Sequence, residues 1–375
     1  MESRRSGLYI SLLVILGVIT LGGSLWMSHQ ISAKDTGGGR FWIEWIGVRA
    51  RLVDGYSPYN PIVTTEIQDQ VSTLFNWATG PKSSYNSPLF SAIISLPFAL
   101  IPDADWAHTA WLAAQFGVML LTVLAGTRLV GWKPTWWLFM LVSFVILLSL
   151  RNSISWYEGS MMIWVSGLMV WTLHALQGKH YEQAGVALAL TMIQPQVVIL
   201  FVVFVLVWVG SHRKWGMIAW FAGTLLILGI VVALLVPDWP IQYLRILWNY
   251  RDYFTPGTPG YAFSNWWPGL GRQMGWVLSA VGGLVLLVEW WLSLRRDYRW
   301  FLWTACLTMT VSLWIGIPVN PDAHVMLNLP LLLILSMFAQ RWRRGGMWVA
   351  ITGVVAVFVW EWGLIYATLG EVDPA

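Results

Sequence analysis

The residues best suited to chemistry gather early in the chain, in the stretch DTGGGRFWIEWIGVRARLVDGYSPY at residues 35–59. Three glycines lead into a helical pattern, and a turn signature closes it. On a helix Arg40, Glu44, Gly47 and Arg51 fall at i, i+4, i+7 and i+11 and share one narrow stripe. A carboxylate between two guanidiniums suits a proton acceptor placed beside an anion site. The same spacing also makes an ordinary ion-paired face on a helix lying at a membrane surface. Two further polar groups stand in otherwise apolar surroundings. Gln194 and Gln196 flank Pro195, and His324 ends the run Pro318-Val319-Asn320-Pro321-Asp322-Ala323. A histidine at a helix start bonds water or backbone as readily as it serves a reaction. The sequence holds no Walker loop, no HExxH and no Gly-x-Ser-x-Gly elbow.

The elements that must position these residues are membrane helices. Of 375 residues 57% are hydrophobic and only 11% charged, against about 25% charged in a soluble domain. Many of the 29 tryptophans lie at the ends of apolar runs, where an aromatic belt places them. The net charge of +4 reflects basic cytoplasmic turns rather than a nucleic-acid surface. The one cysteine, Cys306, excludes an internal disulfide and any cysteine-based metal site.

We therefore expect an all-α polytopic bundle of about 10–12 spans, some short or broken, in one integral-membrane domain over residues 1–375. Arg4 and Arg5 precede an apolar run from Leu8 to Met27 that reads as a first span with its N-terminus in the cytoplasm. Residues 28–87 then form a first external loop with amphipathic surface helices, the second over Pro61 to Trp77. Residues 237–268 form a second external loop. The stretch Glu182 to Gly210 exceeds one crossing and is interrupted by Gln194-Pro195-Gln196. Two short helices meeting at a polar apex and one kinked helix both fit it. Basic clusters at 212–214, 295–299 and 341–344 mark cytoplasmic turns. The parity of spans between residues 88 and 180 stays open, with Arg128, Lys133 and Lys179 pulling inward.

The order of segments resembles the GT-C membrane glycosyltransferases, and within them glycosyltransferase family 87, the polyprenol-phosphate-mannose-dependent type. The similarity is carried by Arg40-Phe41-Trp42-Ile43-Glu44-Trp45 with Arg49, Gly55, Pro58 and Tyr59. It continues in Tyr85-Asn86-Ser87-Pro88-Leu89-Phe90, Gly159-Ser160, Ala184-Gly185, Gln194-Pro195-Gln196, and the run from Pro318 to Pro330 that contains His324. It covers residues 8–330. Arg40 stands where the family carries the acidic residue that serves as base, Ser160 where it carries glutamine, Gln194 where it carries lysine and Ala323 where it carries histidine.

The resemblance implies transfer of a mannose-like hexose or a pentose from a polyprenyl phosphate to a hydroxyl on a glycan or glycolipid, at the external face of the cell membrane. The leaving phosphate needs cations or hydrogen-bond donors, and the acceptor hydroxyl needs a base. Glu44 is then expected as base, with His324 also catalytic. Arg40, Arg51, Tyr85, Gln194 and Gln196 would hold donor phosphate or substrate. Neither a metal nor another cofactor is called for. Two alternatives stand beside this: a member that binds lipid-linked sugar or a partner without transferring it, and a transporter or flippase of such lipids. Glu158, Glu289 and Glu361 are the charges a transporter could use.

Overall fold

A computed structural model describes residues 39–75, 84–250, 263–264, 266–315, 321–341 and 343–371. The expected first span, most of the glycine loop, Trp77, the loop at 255–260 and Pro318–Asn320 lie outside them. All regular structure among the described residues is helical. The chain divides into two compact units. The first holds residues 1–85, 91–118 and 156–160, and the second holds 86–90, 119–155 and 161–375.

In the first unit α1 is Gly39–Arg49, followed without a break by a π-helical turn, Ala50–Asp54. Gly55, at φ +74°, ends that turn by donating its N–H to the Ala50 carbonyl. Only glycine enters this left-handed region at little cost. Helix α2 is Pro61–Phe75, with Asn60 accepting from the Ile62 N–H at its start. Val63, Ile67 and Val71 form its buried stripe, while Glu66, Asp69 and Gln70 face outward. Helix α1 differs. Phe41, Trp42, Glu44, Ile46, Gly47 and Val48 are all buried, so it is wrapped by the unit rather than laid on a surface. Helix α3 is Ala92–Ala99. Its last carbonyl, Ala99 O, accepts from Arg49 Nη1 at 3.2 Å, so α1 caps the orphan end of α3. Helix α4, Ala104–Leu129, contributes residues to both units.

The second unit carries α5 (Trp136–Leu147), α6 (Leu150–Tyr157, through Ser155), α7 (Met162–Gln177), α8 (Tyr181–Thr191), α9 (Pro195–Ser211) and α10 (Trp215–Leu235). It continues with α11 (Trp239–Tyr250), α12 (Gly271–Ser293), α13 (Tyr298–Ser312), a 3-10 helix Pro321–Leu327, α14 (Asn328–Arg341) and α15 (Arg343–Glu371). Among the described residues four helices are long and apolar enough to cross a bilayer, or five if α5 and α6, bent by 56°, count as one span. Four shorter apolar stretches accompany them. Helices α10 and α12 present apolar side chains such as Leu226, Leu234, Leu284 and Trp291 outward, the surface expected against hydrocarbon.

Three turns meet at one end of this unit. The Lys214 ammonium lies 5.2 Å from the centre of the Tyr181 ring, joining the α9–α10 and α7–α8 turns. The Tyr298 hydroxyl donates to the Leu173 carbonyl in the last turns of α7, and Trp208 packs on Phe301 at 4.1 Å. Lys179 therefore shares an end of this unit with His212–Lys214 and Arg295–Arg299.

Candidate functional site

In the first unit the site is built around the start of α1. The Glu158 carbonyl accepts from the N–H groups of Arg40 at 3.0 Å and Phe41 at 3.3 Å, satisfying two orphan donors of the helix N-terminus. Arg40 Nε in turn meets Glu158 Oε2 at 3.1 Å, with side chains 31% and 36% exposed.

The turn that carries Glu158 is fixed from behind. Helix α4 turns His108, Trp111, Leu112 and Gln115 to one buried face. Trp111 Nε1 donates to Gly159 O at 3.0 Å and Gln115 Nε2 to Ser160 O at 2.7 Å. Trp156 Nε1 donates back to Leu112 O at 2.8 Å. Gly159 sits at φ +69°, and a Cβ there would lie 2.7 Å from Phe41 Cβ. His108 stacks on Phe41, ring centres 4.8 Å apart.

Glu44 lies inside the unit, 4% exposed. The wholly buried Tyr85 hydroxyl donates to it and shares a 2.9 Å hydrogen bond with Ser91 Oγ. Burial first, and then the negative charge of Glu44, hold the Tyr85 hydroxyl well above the usual tyrosine range. Gly47 leaves room for the ring: a Cβ there would stand 2.4 Å from Tyr85 Cδ2. Tyr59 closes the other side edge-on at 5.4 Å. Arg51 does not continue the stripe, because the π-helical turn changes the rotation per residue after Arg49. Its Nη1 donates to Gly55 O at 2.6 Å. Glu44 with Tyr85, Arg40 with Glu158, and Arg51 with Gly55 are three contacts within one unit.

In the second unit Gln194 and Gln196 stand where α8 ends and α9 begins, with Pro195 at the first position of α9. This is the two-helix form of the apex. Gln196 Nε2 donates to Gln194 Oε1 at 2.6 Å. The 17 residues of α9 put this break roughly 25 Å from the basic turn at 212–214.

His324 is exposed on the 3-10 helix. That helix is held by Ser155 Oγ on Asp322 O at 3.2 Å and by Ser166 Oγ on Val325 O at 3.4 Å. A reciprocal amide pair, Asn152 with Asn328 at 3.2 and 3.1 Å, fixes its end. The break between α5 and α6 is closed by α15. Glu361 accepts from the Leu150 N–H and from Arg151 Nη1, each at 3.0 Å, and Trp362 Nε1 donates to Leu148 O at 3.0 Å. Backbone groups freed within a bilayer need such partners. Arg151 and Glu361 therefore have a structural duty.

Gln115 and the Asn152–Asn328 pair are polar positions that spacing did not single out as a site, and Glu158 was named only as a charge a transporter could use. Among the described residues no three His, Cys, Asp or Glu side chains gather closely enough to hold a metal ion.

Among the described residues, helices without strands, four or five of them long enough to span, define an integral, polytopic helical membrane protein. The model of glycosyltransferase family 87 matches residues 85–316, more than half of the chain, and the chain belongs to that family. It is a membrane glycosyltransferase by family. No curated protein and no solved structure matches it.

Proposed function

We propose that the chain moves a mannose-like hexose or a pentose from a polyprenyl-phosphate donor to a hydroxyl of a glycan or glycolipid, at the external face of the cell membrane. The observation that supports this is the polarity of the second unit. Basic turns gather at one end, the end the positive-inside rule puts in the cytoplasm. The Gln194–Gln196 break lies a helix length away, and the 3-10 helix of His324 is bonded to Ser166, in the second turn of α7 and far from that end. With the N-terminus cytoplasmic, residues 28–87 and 237–268 then lie outside. A phosphate on a long isoprenoid stays in the bilayer, so its sugar meets the protein among apolar walls with a few polar groups. In the first unit Arg40 and Arg51 are the candidate cations for a phosphate; in the second, His324, Gln194 and Gln196 are the candidate hydrogen-bond donors for phosphate or sugar hydroxyls. Glu44 and Tyr85 act from beneath: a 4% exposed carboxylate bonded to a buried phenol braces α1 rather than meeting an acceptor directly.

The test is to incubate membranes containing the protein with labelled polyprenyl-phosphate sugars and a glycan acceptor, scoring binding and transfer separately. Binding with transfer is expected. Binding without transfer would favour a binding-only member, and movement of intact donor between leaflets would favour a transporter.

A further inference from the structure

Given that the chain transfers sugar as proposed, we infer that Glu158 is the proton acceptor of the reaction and that Arg40 is its partner, facing the donor phosphate. A general base must come within hydrogen-bond reach of the hydroxyl it deprotonates. Glu44, at 4% exposure beneath Tyr85, is not reached from solvent. Asp54, Glu66 and Asp69 are exposed on a turn and on the outer face of α2, and Asp103 caps α4 by accepting from the Trp106 N–H. Glu158 differs from all of these. Its side chain is 36% exposed, open enough to meet a substrate. Its backbone is held by two N–H groups of α1 and followed by two carbonyls fixed by buried Trp111 and Gln115. A solvated surface ion pair needs no such support and gains little from it. A reacting carboxylate gains from a fixed position, because placement within a fraction of an ångström governs proton transfer.

The step balances without a further reactant. The acceptor oxygen forms a bond to the anomeric carbon as the bond from that carbon to the phosphate oxygen breaks. The bonding pair leaves with the phosphate, beside the Arg40 guanidinium. The hydroxyl proton passes to the Glu158 carboxylate and then to solvent. As the leaving phosphate gains charge, the Arg40 guanidinium, 3.1 Å from Glu158, is drawn to it.

The test compares wild type, Glu158→Gln and Glu158→Ala in membranes supplied with labelled polyprenyl-phosphate mannose and a glycan acceptor, with donor binding measured alongside. Glu158→Gln keeps the size and the contact with Arg40, so donor affinity should stay within about threefold while turnover falls at least ~100-fold. Formate should restore part of the turnover of Glu158→Ala, since the position is half-open, and a merely structural glutamate would show no such rescue. Turnover of Glu158→Gln within about tenfold of wild type would overturn the assignment while leaving the transfer reading intact. A wild type that binds donor but transfers nothing would overturn the transfer reading, and this assignment with it. Should both variants lose donor binding through misfolding, Glu158→Asp decides. A folded, donor-binding aspartate variant whose turnover falls at least ~10-fold supports the base, because its carboxylate is drawn back by one methylene, and one with wild-type turnover overturns it.

Discussion

Arg40 and Glu158 meet at 3.1 Å across 118 positions of sequence, and the same two residues are joined a second time through the backbone, Arg40 N–H to Glu158 O at 3.0 Å. The double junction ties the start of α1 to the turn after α6. Exchanging the two charges, Arg40→Glu with Glu158→Arg, should keep the ion pair and the thermal stability yet leave transfer below about a tenth of wild type, because the carboxylate then projects from the wrong backbone. Full activity in the exchanged variant would show that only the pair matters, wherever its carboxylate stands.

Gly159→Ala should be among the most damaging single-methyl changes in the first unit. It forces φ +69° on a residue with a Cβ and drives that atom to 2.7 Å from Phe41. Strain and overpacking together cost about 2–4 kcal/mol. Thermal unfolding in detergent should show a lowered midpoint, with transfer falling in step, and an unchanged midpoint would mean that the turn relaxes freely.

Tyr85→Phe leaves the buried Glu44 without one of its donors, a loss of about 1–3 kcal/mol. It should also change how stability depends on pH. An unfolded tyrosine ionises near 10.0, whereas Tyr85 in the fold keeps its proton to well above that value. Below pH 10 the group is neutral in both states and contributes nothing. Above it the unfolded chain alone loses the proton, so stability falls as pH rises. Unfolding midpoints of wild type and Tyr85→Phe between pH 8 and about 11 should therefore converge as pH rises. Parallel curves would contradict this.

Gly185→Leu should separate α8 from α10, since even a Cβ at 185 would lie 2.6 Å from Met217 O and 2.7 Å from Trp220 Cβ. The expected result is a loss of about 1–3 kcal/mol in detergent stability, and tolerance would mean that the helices cross less tightly than their backbones indicate.

Much of this was legible in the sequence, and the failures share a cause. Pro195 between two glutamines announced an interruption, two short helices or one kinked helix, because a proline removes a helix hydrogen bond. Gly55, in the turn signature at 54–59, announced the turn, and a helix was expected from Pro61. Helix α1 was misread as a surface helix because in a membrane protein apolar residues cover the faces toward lipid and toward protein alike, so periodicity carries less information. The partner of Arg40 was missed because the i, i+4 rule offers Glu44 and says nothing of a residue far along the chain. Arg51 was misplaced by the π-helical turn, which no composition rule signals.

The topology can be read with cysteines in a background where Cys306 is replaced by alanine. Labels at Lys179, Arg213 and Arg296 should react from one side of sealed vesicles, and a label at Asp238, just before α11, from the other. The first three share an end in the structure, and the 21 residues of α10, roughly 30 Å, separate that end from Asp238. Lys179 reacting from the side of Asp238 would contradict the arrangement.

The central claim, sugar transfer from a lipid-linked donor at the external face, is tested most directly in vesicles holding purified protein of known orientation. Labelled polyprenyl-phosphate mannose and a glycan acceptor are supplied, and the acceptor is placed on one side at a time. Labelled product should form when the acceptor meets the face that carries Asp238, and a nucleotide-activated sugar should not replace the lipid donor. Transfer from the nucleotide sugar, or only with acceptor on the side of the basic turns, would contradict the account.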